Sequence, residues 1–222
     1  MIVTIDGPAG AGKSSIARQV AENLGFEFLD TGAMYRAATL GAIRSQIEFD
    51  DLDGLVAFVR DARMKWQDGR IYLNNDDVSE EIRSPIVTSA IKHLADLKEV
   101  RELLSEEQRR IADGRNIVTE GRDQGSEVFP DAECKIFLTA SPMERAKRRQ
   151  QQLNKSGKHM PLEDILQTQD KRDEEDRKRP VGTLRPAKDA VVIDSDGMTP
   201  EEVLERALEI VQSSKKVESD SI

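Results

Sequence analysis

The sequence predicts a doubly wound α/β fold, in which helices cover both faces of a parallel five-stranded sheet. Short apolar runs rich in β-branched residues recur along the 222 residues of the chain, and helical patterns separate one run from the next. Buried parallel strands show such continuous apolar runs, because both of their faces are covered. The intervening helices supply the crossover that each parallel connection requires.

The first predicted strand spans residues 1–6 and leads through a glycine-rich loop into a helix over 13–24. The other predicted strands are equally short, and they span residues 26–30, 116–120, 135–138 and 190–193. A pair of helices is predicted over about 142–178, with a break near Ser156-Gly157. The last helix is expected to begin at Pro200, and residues 213–222 resemble a flexible polar tail.

About 85 residues separate the second and third predicted strands, far more than a simple crossover needs. Within this segment, Asp68-Gly69 lies between two short β-rich runs and predicts a hairpin. Ser84-Pro85 then predicts a helix start, with the serine as N-cap and the proline at the first helical position. We therefore expect an inserted lobe over about 55–95, within a core formed by residues 1–54 and 96–212.

The composition excludes several classes of protein. Lysine and arginine number 33 against 42 acidic residues, so the net charge is −9, and aromatic residues make up 4%. Such a chain lacks both the positive field and the stacking platforms of a general nucleic-acid binder, although a local basic site for small anions is compatible with it. A single cysteine, Cys134, excludes an internal disulfide, and with only two histidines a structural zinc site is not expected.

No hydrophobic segment in the sequence suggests a membrane protein or an exported one. No apolar run approaches the roughly 18 residues of a membrane span. The apolar strand pattern begins at Ile2, and no basic segment or long apolar segment of a leader precedes it. We therefore expect a cytoplasmic protein.

The glycine-rich loop has the pattern G-x-x-x-x-G-K-[ST], and it lies between a predicted strand and a predicted helix, as in a phosphate-binding loop. Glycines allow backbone N–H groups to turn towards phosphate oxygens, and the helix N-terminus adds unpaired donors and a positive dipole. We expect Lys13 to bridge the β- and γ-phosphates of a nucleotide and Ser14 to offer its hydroxyl to Mg²⁺. The expected nucleotide-binding residues of this loop, which become ATP-binding residues if the protein is a kinase, are Gly7, Pro8, Ala9, Gly10, Ala11, Gly12, Lys13, Ser14 and Ser15.

Arginines mark where a second anion could bind. An enzyme that moves a phosphoryl group between two anions needs cations beyond Lys13, and the arginine fork suits phosphate. Arg36 follows the second predicted strand and Arg122 follows the third, at the strand ends where open α/β sheets bind ligands. Glu120, also at that edge, is placed to organise Mg²⁺ through water.

Two arginine clusters on predicted helices extend this pattern. Arg172, Asp176 and Arg179 have the spacing i, i+4, i+7 and share one helix face. Taken singly, such arginines are usually solvated surface residues, but the set of Arg36, Arg122, Arg172 and Arg179 beside a phosphate-binding loop favours a catalytic role. A second cluster joins three arginines at i, i+3 and i+4, and its members are Arg145, Arg148 and Arg149.

The motifs together resemble those of the bacterial cytidylate kinases. The matching segments are I-D-G-P-A-G-A-G-K-S-S, L-D-T-G-A-M-Y-R, V-R-E-L-L, E-G-R-D-x-G-x-x-V-F-P-D-A, K-I-F-L-T-A-S-P and R-D-x-x-D-R-x-R, collinear from residue 2 to about 210. The resemblance implies a P-loop core, a mobile lid over about 149–180 and a lobe that binds the nucleoside monophosphate, corresponding to 55–95. It also implies transfer of the γ-phosphate of ATP to CMP or dCMP with Mg²⁺.

The resemblance also implies individual roles. Thr31, Tyr35 and Arg36 would lie beside the monophosphate, and Arg101 with Asp123 would read the cytosine edge. Arg172 and Asp176 would approach the sugar and phosphate of the acceptor. Arg122 and Arg179 would stabilise the charge on the transferred phosphoryl group, and Arg148 would belong to the ATP site.

Three departures from the family pattern bear mainly on selectivity for cytosine. Lys92 replaces a serine that helps to read the base, and a lysine can donate but cannot accept from the exocyclic amine. Gln124 stands where an apolar residue is usual, and Gly182-Thr183 replaces the usual Ala-Pro. An exposed helix position is an equally good reading of Lys92.

Other functions compete with transfer to CMP. The acceptor could be UMP, AMP or a non-nucleotide acid in a related kinase, and the chain could be a nucleotide sensor or a GTPase. A GTPase normally carries N-K-x-D, but here Asn154-Lys155 precedes Ser156-Gly157. No heptad seam or long apolar stripe stands out, so we expect a monomer.

Overall fold

The structure is a computed structural model that describes the backbone of residues 1–219. Its strands are β1 (Ile2–Asp6), β2 (Glu27–Asp30), β3 (Met64–Gln67), β4 (Arg70–Leu73), β5 (Asp76–Asp77), β6 (Ile117–Gly121), β7 (Cys134–Thr139) and β8 (Val191–Asp194). Its α-helices are α1 (Lys13–Leu24), α2 (Thr31–Arg44), α3 (Leu52–Asp61), α4 (Pro85–Ala95), α5 (Lys98–Ala112), α6 (Pro142–Lys155), α7 (Leu162–Lys178) and α8 (Pro200–Ser219). A 3-10 helix (Glu81–Arg83) and a π-helical turn (Gln124–Val128) complete the elements.

The larger sheet has five strands in the order β2-β6-β1-β7-β8. β1 lies at its centre and pairs in parallel with β6 and β7, so that Ile5 lies opposite both Glu120 and Ile136. β8 continues the sheet in parallel with β7. Ile5 and Ile136 are buried, as expected for strands covered on both faces. The predicted doubly wound α/β fold is confirmed.

The segment β1–loop–α1 forms where the sequence predicted it. α1 buries an apolar face that includes Ile16, Ala17 and Val20. It ends at Gly25, whose φ of 67° is the left-handed conformation of a helix C-cap, and the amide of Phe26 bonds back to the carbonyl of Ala21 at 2.9 Å. The helix start at Lys13 therefore lies directly at the end of the glycine loop.

The second sheet is the small antiparallel sheet β3-β4-β5. Asp68 and Gly69 connect β3 to β4 with φ values of 51° and 71°, the conformation of a tight two-residue hairpin. Trp66 and Ile71 lie opposite each other in the register and are buried. The predicted hairpin is confirmed.

Contacts divide the chain into two compact units. The first unit contains residues Met1–Phe26 together with the chain from Asn116 onward, and the second contains Glu27–Arg115. The lobe predicted over 55–95 lies wholly within the second unit, which also contains α2 and α5.

The C-terminal region of the first unit is helical. α6 and α7 confirm the predicted helical pair, and Ser141 caps α6 by accepting from the amide of Glu144 at 3.3 Å. α8 continues to Ser219, so the flexible tail predicted over 213–222 begins inside a helix, and residues 220–222 lie outside the described residues. Within this helix, Nζ of Lys215 lies 4.9 Å from the ring centre of Phe26.

Candidate active site

In the first unit, the phosphate-binding loop requires glycine because of its backbone geometry. Gly7, Gly10 and Gly12 have φ values of 148°, 80° and 91°. A Cβ on Gly7 would overlap the carbonyl oxygen of Leu138 in β7. Within the described part of the chain, no side chain caps the N-terminus of α1. The start of α1 is therefore a place where backbone N–H groups can bind an anion.

Lys13 is buried at the start of α1, with 6% of its surface exposed. Its Nζ donates to the carbonyl oxygen of Pro8 at 2.8 Å, so the ammonium folds back over the loop. Burial and, to a smaller extent, the positive charges of Arg122 and Arg172 lower the pKa of Lys13 to about 7, against the opposing effects of Glu120 and Asp6. Two arginines therefore act on the ammonium of Lys13, and a polyanion bound at the loop would offset their repulsion.

Ser14 and Glu120 lie together at the carboxyl edge of the sheet. The hydroxyl of Ser14 donates to Oε1 of Glu120 at 3.0 Å, so the two residues that the sequence assigned to a metal are in contact. Both offer oxygen ligands, which Mg²⁺ prefers, and Mg²⁺ sites in kinases use few protein ligands because phosphates and water supply the others. In the described residues, no group of three acidic, histidine or cysteine side chains could hold a metal by itself. The pair fits a metal that arrives with a nucleotide.

Asp176 holds two of the predicted catalytic arginines. Its Oδ2 accepts from Nε of Arg122 at 2.7 Å, and its Oδ1 lies 2.7 Å from Nη1 of Arg179. Burial acts to raise the pKa of the Asp176 carboxyl, but the two arginines outweigh it and hold the pKa below its ordinary value. The carboxylate thus stays ionised and brings both guanidinium groups to one place.

The loop after α7 supports this cluster. The amide of Leu184 donates to the carbonyl oxygen of Asp176, and the hydroxyl of Thr183 donates to the carbonyl oxygen of Arg179 at 2.9 Å. Glu127 accepts from the amides of Gly182 and Thr183 at 2.7 and 3.2 Å. The departure at Gly182-Thr183 therefore adds an amide donor that a proline at the second position would lack.

The remaining arginines of the first unit have different surroundings. Arg172 is exposed on α7, although its charge acts on Lys13. Arg148 donates to the hydroxyl and carbonyl oxygens of Ser195 at 2.9 and 2.8 Å, and so faces the loop that follows β8. Arg149 is exposed and donates to Gln152.

Asp123 and Gln124 lie where β6 ends. Asp123 is buried, with 5% of its surface exposed. Oε1 of Gln124 accepts from the hydroxyl of Thr119 at 3.0 Å, so this departure from the family pattern is buried within the first unit. The carboxylate of Asp6 accepts from the amides of Gln124 and Gly125 at 2.9 and 2.7 Å and anchors the turn. Burial raises the pKa of Asp6 to about 7.

The second unit contains the remaining predicted residues, at the start of α2 and on α5. Thr31 is buried directly after Asp30, whose side chain caps α2 by accepting from the amide of Ala33 at 2.9 Å. The guanidinium of Arg101 lies 5.3 Å from the ring centre of Tyr35, a cation–π contact between two of the predicted residues.

Arg36 and Lys92 also belong to the second unit. Arg36 donates to the hydroxyl of Thr88 at 2.8 Å and to the carbonyl oxygen of Ile82 at 3.2 Å, which ties α2 to α4. Lys92 is exposed on α4, and an exposed helix position was one of the two interpretations of this residue in the sequence.

The sequence analysis missed two buried polar residues that contact the phosphate-binding loop, Gln169 and Asp173, and it assigned no individual role to a third, Arg145. Asp173 accepts from the amide of Ala9, and Arg145 donates to the carbonyl oxygen of Ala9. Gln169 lies against Gly10. Gln169, Asp173 and Asp176 have the i, i+4, i+7 spacing of the predicted arginine stripe, shifted by three residues, and this second stripe was a signal that could have found the two missed residues.

Comparisons with known proteins show which sequences this chain is similar to. The family model for cytidylate kinase matches residues 3–213. A cytidylate kinase of Rhodopirellula baltica is 64% identical over 212 residues, which cover 96% of this chain and 93% of that protein. A cytidylate kinase of Caldanaerobacter subterraneus subsp. tengcongensis is 44% identical, with 97% and 96% covered.

A comparison of structures supports the fold alone. A shikimate kinase from Bacteroides thetaiotaomicron superimposes with a TM-score of 0.50 at 14% identity, and the match covers 96% of this chain and 98% of that one. Within the described residues, no helix combines the length and the apolar character that crossing a membrane requires. The match over residues 3–213 and the identity to curated relatives show that this chain belongs to the cytidylate kinase family.

Proposed function

We propose that this protein transfers the γ-phosphate of ATP to CMP or dCMP and releases ADP with CDP or dCDP. Membership of the cytidylate kinase family supports this reaction. The observation that carries it is the attachment of Arg122 and Arg179 to Asp176, while Arg122 also acts on Lys13 of the phosphate-binding loop. Phosphoryl transfer needs little covalent chemistry from the protein and much neutralisation of charge, which these cations supply.

ATP binds, in this proposal, through the loop and the residues around it. The backbone amides of residues 7–15 cradle the phosphates, and Lys13 contacts the β- and γ-phosphates. Ser14 and Glu120 hold Mg²⁺, Glu120 acting through water, and the ion would neutralise phosphate charge when bound. Arg148, which contacts the loop after β8, belongs to the ATP site.

CMP binds, in this proposal, through the residues that match the family's motifs. Thr31, Tyr35 and Arg36 receive the monophosphate end, with Arg36 on the phosphate. Arg101 and Asp123 read the cytosine edge as donor and acceptor. Arg172 and Asp176 also contact the sugar and phosphate of CMP.

The transfer step requires no catalytic base, because the attacking phosphate oxygen of CMP is already ionised at neutral pH. Arg122, Arg172 and Arg179, with Lys13 and Arg36, stabilise the charge of the transferred group. We propose that the lid over about 149–180 closes with both substrates bound and excludes water, which would otherwise accept the phosphoryl group.

We propose further that the protein acts in the cytoplasm as a monomer, without a membrane or a nucleic-acid polymer as partner. The net charge of −9 opposes binding to a polyanion. Sedimentation equilibrium checks the monomer, since a mass near 24.8 kDa is expected and twice that mass would contradict it.

A panel of acceptors tests the proposed reaction. The purified protein receives ATP and Mg²⁺ with CMP, dCMP, UMP or AMP, and ADP release is measured for each. We expect the highest kcat/KM for CMP or dCMP. Equal or better rates with UMP would assign the protein to a related kinase, and ATP binding without transfer to any acceptor would assign it to a sensor.

A further inference from the structure

A buried ion pair connects helices α6 and α7 to the phosphate-binding loop. Nη1 of Arg145 on α6 donates to Oδ2 of Asp173 on α7 at 2.6 Å. Arg145 is 2% exposed and Asp173 is fully buried. The same Nη1 donates to the carbonyl oxygen of Ala9 at 2.7 Å, and Oδ1 of Asp173 accepts from the amide of Ala9 at 3.0 Å. The backbone N–H and C=O of Ala9 are thus both hydrogen-bonded to the same ion pair.

The remaining contacts of the pair keep it in place. Nε of Arg145 donates to the carbonyl oxygen of Ala140 at 3.1 Å, just before α6. Nη2 of Arg145 lies 3.8 Å from Oδ1 of Asp170, which is half-exposed. A buried ion pair is costly unless further hydrogen bonds satisfy its charged atoms, and here these bonds go largely to the loop. The hydrogen bonds that offset the cost of burying this ion pair therefore depend on the conformation of Ala9.

Planar peptide groups carry this constraint to the atoms that bind phosphate. The described residues contain no cis peptide bond, so the C=O and N–H of each peptide group point in opposite directions. Because the amide of Ala9 points to Asp173, the carbonyl of Pro8 points away from it, and that oxygen accepts from Nζ of Lys13 at 2.8 Å. Because the carbonyl of Ala9 points to Arg145, the amide of Gly10 points to the opposite side.

We propose that Arg145 and Asp173 are positioning residues that orient the phosphate-binding loop for ATP. The pair sets the two peptide groups around Ala9, and these in turn place the ammonium of Lys13 and the amide of Gly10. This inference deepens the proposed function, because it rests on the use of the loop by ATP. The residues act through the loop and need no contact with nucleotide.

The test measures binding of Mg-ADP and of CMP separately by calorimetry in the full-length protein. Asp173→Asn keeps the shape of the side chain but removes its charge and turns a donor towards Arg145. We expect the Kd of Mg-ADP to rise about 10- to 100-fold, as for the loss of a charge-assisted hydrogen bond, and the Kd of CMP to stay within about twofold. Asp170→Asn is the matched control, one helical turn away and also facing Arg145, and it should change neither value.

A merely structural role would give a different result. Partial unfolding would reduce the number of binding sites for both ligands alike, instead of raising the Kd of one. If Asp173→Asn does not fold, as judged by circular dichroism, Arg145→Lys takes its place, because a lysine cannot reproduce the arginine fork. Mg-ADP binding within twofold of wild type in the folded variant would overturn the proposal, and so would failure of both variants to fold. Failure of the wild-type protein to bind Mg-ADP would instead reject the proposed function.

Discussion

Asp176 accepts a hydrogen bond from Nε of Arg122 at 2.7 Å, across 54 residues of sequence. Its other carboxylate oxygen lies 2.7 Å from Arg179. One buried acid therefore places two cations, and exchanging it for a neutral side chain should disturb both.

Asp176→Asn should lower kcat about tenfold or more, because the amide removes the charge that anchors the two arginines. The affinity for ADP should stay within about twofold. Glu174→Gln is the control, since Glu174 is exposed and forms a surface ion pair with Lys178 on the same helix. Steady-state kinetics with varied CMP check this prediction, and an unchanged kcat would contradict it.

Arg179→Ala should lower turnover about 100-fold or more and leave ATP affinity nearly intact, because the guanidinium is proposed to stabilise charge that develops during transfer. Arg177→Ala removes an exposed arginine of α7 and should have little effect. Single-turnover kinetics at saturating ATP measure the transfer step directly. A full rate in the Arg179 variant would remove this residue from the proposed machinery.

Binding of ADP should be coupled to proton uptake by Lys13. Burial, aided by Arg122, lowers the pKa of the free amine to about 7, so at pH 8 the side chain is mostly neutral. The phosphates favour the charged form and raise this pKa, so binding at pH 8 should take up about 0.9 proton. At pH 6 the amine is already charged, and uptake by Lys13 should nearly vanish.

Calorimetry in two buffers of different ionisation enthalpy measures this uptake. Lys13→Met should abolish the proton uptake at pH 8, and it should also weaken nucleotide binding. Equal uptake in wild type and variant would show that another group takes the proton.

The lowered pKa of Lys13 also makes the free energy of unfolding depend on pH. The folded pKa of Lys13 lies below its ordinary value of 10.5, so the unfolded chain binds more protons between about pH 7 and 10.5. The contribution of Lys13 to the free energy of unfolding therefore increases with pH across that window. Lys13→Met should remove this contribution, which urea unfolding at pH 7 and 9 detects.

Gly7→Ala should lower the free energy of unfolding by about 1–3 kcal/mol and impair ATP binding, because the new methyl group would overlap the carbonyl of Leu138 in a central strand. Gly157→Ala is the control that separates the strain of a positive φ from the strain of a steric overlap. Gly157 also has a positive φ, 73°, but a Cβ there would meet no atom within 4 Å. Equal destabilisation by the two substitutions would show that the overlap contributes nothing.

Much of the first unit was predictable because its signals are local. The helix start at Lys13 depends on residues only a few positions apart, and so does the Asp68-Gly69 hairpin of the second unit. The proximity of Ser14 and Glu120 could also be expected, since Ser14 follows the loop after β1 and Glu120 lies at the carboxyl end of β6, which pairs with β1. Their direct contact at 3.0 Å follows from the pairing of β1 with β6.

The sequence by itself determined the strand–loop–helix unit, the helical pair and the residue types that a phosphotransferase needs. It could not determine which charges of α7 are buried, because helical periodicity defines several stripes and the packing partner selects one. Only the tertiary structure, which brings Arg145 of α6 and Ala9 of the loop to Asp173, decided that Asp173 is buried while Arg172 stays exposed. A buried charge requires a partner from elsewhere in the chain, and the sequence pattern of one helix does not contain that partner.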